Sequence, residues 1–150
     1  MSRSGYGGEC ESWELVRYRG MVASAIRGKR GQSLIRDLGI ALDAMPVKEL
    51  VEDEFAYDGK VCALGAVANF RNVDIGHINP ARDDCREETA TLLHIATCLA
   101  SEIMYENDEG VGPWSNSPEE RWHHMRDWVA ANLKNQAEPE ALKEDRKSVV

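Results

Sequence analysis

Nowhere in this 150-residue chain does an apolar run approach the roughly 20 residues that a bilayer-spanning helix needs, so no membrane association is expected. The opening "MSRSGYGGECESW" lacks the apolar core of a secretory signal, and the protein is expected to stay in the cytoplasm where it is made. There is no CxxC pair either: Cys10, Cys62, Cys85 and Cys98 stand far apart. In a reducing cytosol such cysteines are expected to be free thiols, two or three of them buried as small hydrophobes. Basic charge is also scarce, with 18 Lys and Arg against 26 Asp and Glu and a net charge of −8. That balance argues against a general nucleic-acid binder, because phosphate contacts supply most of such a protein's affinity.

What charge there is lies unevenly. Residues 1–40 carry a balance of +3 and residues 41–150 one of −11. A local basic patch at "RGKRG" and a broad acidic remainder are therefore both legible. The length fits a single domain with a real core, and 43% apolar residues are ordinary for a globular chain.

Helical spacing dominates the periodicity. Residues 1–10, rich in Ser and Gly, are expected to be a flexible lead-in. A first helix is predicted over 11–27, with "GKRG" breaking it, and a second over 32–45 on the face of Leu34, Ile35, Leu38 and Leu42. Asp58-Gly59, between aromatic and β-branched residues, is a hairpin signal near 54–62. The run "VCALGAVANF" (61–70) is short enough to be helix or strand, with helix over about 62–71 favoured. A long central helix is predicted from 85 to 105. A last helix opens on Ser117 as N-cap, Pro118 at the first position and Glu120, then turns Trp122, Met125, Val129 and Leu133 inward. Residues 136–150 are polar, charged and expected to be a disordered tail. The fold class predicted is mainly α: a compact bundle of about five helices over 11–135, with one small β-hairpin.

Several residues invite a chemical reading. Glu102 and Glu106 lie one helical turn apart, with Asp108 and Glu109 expected in the loop that follows. Three convergent carboxylates could hold a hard cation, but the EF-hand spacing is missing, so no metal is expected and the acids are read as a surface for a basic partner. Trp114, in a Gly/Pro loop, is either a plug over the core or an aromatic anchor for that partner. His94 and Cys98 have a helical i, i+4 spacing, yet no second ligand pair matches it. Cys62 near a helix start, with His77 in a nearby loop, has the outline of a nucleophile and base; burial as a small core residue is the simpler account. Arg27, Lys29 and Arg30 form an alternative nucleic-acid contact, although "RGKRG" fits no phosphate-loop pattern. No enzyme activity and no cofactor are expected, with a small metal-dependent hydrolase at Glu102, Glu106 and Asp108 as the lesser alternative.

The segments "RGKRGQSLIRDLGIALDAMP", "DGKVCALGAV" and "IMYENDEG…SPEERWHHMRDWV" resemble a family of small uncharacterised phage and prophage proteins over roughly residues 13–134. The resemblance implies a bacterial host cytoplasm as the setting. It also implies an accessory role of the kind small acidic phage proteins play, including inhibition of host defence. A host or phage protein is then the expected partner. Amphipathic helices and four tryptophans leave room for a homodimer as well.

Overall fold

Leu34, Ile35, Leu38 and Leu42 recur at helical spacing and are fully buried, so α2 (Lys29–Ala44) forms the centre of the molecule. Each such side chain contributes roughly 1.5–3 kcal/mol on leaving water. The computed structural model describes residues 3–5, 12–112 and 117–134. Trp114 and the expected tail at 136–150 lie outside these residues. Around α2 are α1 (Ser12–Arg27), a hairpin of β1 (Ala56–Tyr57) and β2 (Lys60–Val61), α3 (Ala63–Phe70), α4 (Cys85–Leu93), α5 (Thr97–Glu109) and α6 (Pro118–Asn132). The fold is mainly α, with six helices among the described residues where about five were predicted.

The hairpin falls where Asp58-Gly59 placed it. Both residues have positive φ, 51° and 76°, the geometry of a turn that matches the twist of its strands. The ambiguous run 61–70 resolves as α3, capped at its start by Cys62, whose sulfur accepts from Gly65 N–H at 3.4 Å. Helix α6 starts as predicted, with the Ser117 hydroxyl accepting from Glu120 N–H at 3.1 Å. Such a cap is worth about 1 kcal/mol. Trp122, Met125 and Val129 face the core.

Helices α2 and α6 run antiparallel. Gln32 Nε2 donates to the Asn132 carbonyl (3.0 Å) near one end, and Trp122 Nε1 donates to the Leu42 carbonyl (3.2 Å) near the other. Gly39 lets the two backbones approach, since a β-carbon there would stand 3.0 Å from Val129 Cγ1. Arg71 ties three elements together, with Nε on Asp37 (2.8 Å), Nη1 on the Leu93 carbonyl (2.9 Å) and Nη2 on Ser33 Oγ (3.2 Å).

Three expectations need correction. The "GKRG" break is a single residue: only Gly28 separates α1 from α2, and Lys29, Arg30 and Gly31 are already helical. The long central helix is two, because His94 adopts φ 56° and ψ 44° as the left-handed cap of α4. His94 and Cys98 therefore do not share one helix face. The third correction concerns the lead-in. Residues 3 and 4 are 5% and 2% exposed, packed into the body of the molecule rather than flexible.

Candidate functional site: an acidic end over a buried arginine

Helix α5 runs about one turn further into the acidic stretch than its apolar pattern suggested, and this decides where each carboxylate goes. Leu99 and Ala100 face the core, Ile103 and Met104 follow one turn on, and Asn107 and Asp108 come next on the same face. All four acids of 102–109 lie in the helix instead of two lying in a loop. They do not form one surface.

Asp108 is internal. Its side chain is 2% exposed and accepts two bonds from Arg3, from Nε at 2.6 Å and from Nη2 at 2.8 Å. Asn107 Nδ2 (2.8 Å) and the Asp53 backbone N–H (3.0 Å) complete its shell. The expectation that Asp108 meets an external partner is therefore corrected: its partner is within the chain. Glu106 is half-buried and sits 2.6 Å from His124 Nε2, which joins α5 to α6. Glu102 is half-buried, and only Glu109 is freely exposed.

Arg3 lies in a fitted pocket. Its guanidinium stands 5.0 Å from the Phe55 ring centroid, and Nη1 donates to Cys62 Sγ at 3.4 Å. Burial alone would lower the Arg3 pKa, but the Cys62 sulfur and the Asp108 carboxylate outweigh it and hold the pKa above its ordinary value. Asn107 frames the same pocket, its Oδ1 accepting from Ala63 N–H (3.0 Å) and its Nδ2 donating to the Val51 carbonyl (2.9 Å). Cys62 is thus fully buried at the cap of α3, next to Arg3. His77 points elsewhere, lying 3.4 Å from Glu88, so the imagined nucleophile and base are not brought together.

Above this pocket the surface is strongly acidic. The loop 45–55 threads between α5 and α6: Leu50 N–H donates to the Pro118 carbonyl (3.0 Å), and Arg121 Nη1 donates to the Leu50 carbonyl (2.7 Å). That path brings the exposed Asp53 within electrostatic reach of Glu52, Asp108 and Glu109. Arg121 also reaches Glu52 at 3.4 Å from below. Burial, then the charges of Asp108 and Glu52, raise the Asp53 pKa. Burial, then Asp108 and Asp53, raise that of Glu109. Asp53 itself is held at φ 61°, an uncommon conformation for a residue with a β-carbon.

The opposite end of α6 is basic. Gln32 Oε1 accepts from Lys134 N–H at 2.9 Å, and Lys134 Nζ lies 3.5 Å from the Arg27 carbonyl. Lys134 thereby joins the exposed Arg27, Lys29 and Arg30, a fourth cation that sequence spacing did not connect to them. A cleft of about 330 Å³ beside the hairpin is lined by Lys60, Asn69 and Asp74 among others, with no nucleophile and base facing each other. Among the described residues no three His, Cys, Asp or Glu side chains converge as a metal ion would need, and no helix is long and apolar enough to cross a membrane. The chain matches no family model, no curated protein and no solved structure.

Proposed function

We propose that the protein is a non-enzymatic binding factor that presents its acidic end to a basic surface on a protein partner. The observation that carries this reading is the crowding of Glu52, Asp53 and Glu109 around Asp108 at a cost to the fold. Asp53 and Glu109 both have raised carboxyl pKa values, so the folded state holds their protons more tightly than the unfolded chain does. Their contribution therefore becomes less favourable as pH rises through the interval just above the ordinary carboxylate range. At neutral pH the fold bears this cost, of burial first and repulsion second, in full. An arrangement that opposes folding is what a surface shaped for another molecule produces. In its sharper form the partner is a host or phage protein that handles nucleic acid, with carboxylates taking the place of phosphates. An anti-defence inhibitor would act in this way.

The doubly neutralised variant Asp53→Asn/Glu109→Gln tests it. Its unfolding temperature is expected to stay level or rise, within the roughly 0.5 kcal/mol span of surface substitutions. The intact chain, immobilised at low salt, is expected to retain a stoichiometric basic protein from bacterial lysate and release it as salt rises. The variant is expected to lose that protein. Absence of any stoichiometric partner, or a partner indifferent to both salt and the substitutions, sinks the reading.

The arrival of Lys134 beside Arg27, Lys29 and Arg30 favours a second reading, nucleic-acid contact at the basic end. A mobility shift with duplex and single-stranded DNA decides it. Binding that is absent, or unchanged when these four residues become alanine, removes it.

A further inference from the structure

We infer that the cavity around Arg3 is a guanidinium-recognition pocket that the chain fills with its own arginine and that a partner's arginine can take over. Four independent features of the pocket match that chemistry. Asp108 offers two oxygens to the planar fork, at 2.6 and 2.8 Å. The Phe55 ring lies beneath it at 5.0 Å. Cys62 Sγ accepts from the remaining nitrogen at 3.4 Å. Groups other than Arg3 also hold the walls of the pocket. Asn107 bonds Ala63, Val51 and Asp108, while the Asp53 N–H orients the carboxylate from the other side. A lysine ammonium is a point charge and would not satisfy two oxygens and a ring face together.

The resident segment suits the pocket but not its rim. Residues 1–11 contain one cation, Arg3, and two acids, Glu9 and Glu11. No further cation of that segment flanks Arg3 in the sequence, whereas Asp53 and Glu109 both feel the charge of Asp108 beside the pocket. An arginine flanked by further Lys or Arg meets both the pocket and the rim. The occupant is therefore a cation-flanked arginine on the basic partner, with the chain's own Arg3 as placeholder. For the source of that arginine the inference rests on the acidic-end reading above; the pocket itself does not.

The experiment uses the full chain carrying Arg3→Ala. N-acetyl-arginine amide and a capped Lys-Lys-Arg-Lys-Lys peptide are titrated against it, with all-lysine and citrulline-centred peptides as controls. Chemical shifts of the Asn107 side-chain amide and the Asp53 N–H report occupancy. Saturable binding is expected, with the arginine peptide at least about tenfold tighter than the all-lysine peptide and the citrulline peptide inert. The intact chain is expected to bind the same peptide more weakly, because Arg3 competes. Adding Asp108→Asn abolishes binding. Should Arg3→Ala not fold alone, the arginine peptide is expected to restore its helical signal. A folded variant without saturable arginine binding, or an unfolded one that the peptide does not rescue, overturns the pocket.

Two further arms separate the sources. If the five-residue peptide binds no better than N-acetyl-arginine amide, the acidic-rim reading fails while the pocket stands. If instead a peptide of residues 1–8 binds tightest and Arg3→Ala forms mixed dimers with the intact chain, the occupant is a second copy, and the assignment to a basic partner is overturned.

Discussion

Replacing Asp108 with alanine is expected to lower the unfolding free energy by about 3–5 kcal/mol, because it strands a buried guanidinium. For a domain of this size that is a fall of roughly 10 °C in unfolding temperature. The carboxylate accepts from Arg3 twice, from Asn107 and from the Asp53 backbone, so one substitution unties α5, the 45–55 loop and the N-terminal segment together. Urea unfolding followed by circular dichroism measures it. A loss below about 1 kcal/mol, the range of an exposed ion pair, contradicts a buried anchor at this position.

Gly31→Ala is expected to cost about 3 kcal/mol, at the upper end of what overpacking costs. A β-carbon at residue 31 would collide with the Ala25 carbonyl oxygen, which is backbone and has no rotamer to yield. The joint between α1 and α2 is a single residue, Gly28, so no slack exists to absorb the displacement. The control is Gly20→Ala: nothing lies within 4 Å of a β-carbon there, and its helix should gain from the better propensity of alanine. Equal thermal stability of Gly31→Ala and the unmodified chain would show that α1 is not held closely against α2.

Much of the architecture was legible because local chemistry and tertiary packing agree. Asp58-Gly59 announced the hairpin, Ser117-Pro118 announced α6, and the stripe of α2 announced the core. The misreadings share one cause: continuity was inferred from composition where a backbone angle or a distant contact decided it. Nothing in "TLLHIAT" required His94 to take a left-handed conformation, so two helices read as one. Conversely, the acidic letters of "YENDEG" suggested a helix end, yet the stripe continues through them. Adding four to Leu99 and Ile103 lands on Asn107, and adding four to Ala100 and Met104 lands on Asp108. That periodicity marks both as facing inward, and a buried carboxylate demands a buried cation. What remained invisible was which cation. Arg3 sits among Ser and Gly, 105 residues away, and no local pattern connects such positions. The same holds for Lys134 and the basic joint, which meet only because α2 and α6 run antiparallel.

That antiparallel pair also acts as a spacer. The 15 residues of α6 separate Glu119 and Glu120 at its start from Lys134 just beyond its end. At 1.5 Å per residue that is about 22 Å. Counter-ions at physiological ionic strength extinguish a charge's reach over about 8 Å. The two poles are thus mutually blind, and each can be recharged or occupied without its opposite registering the change.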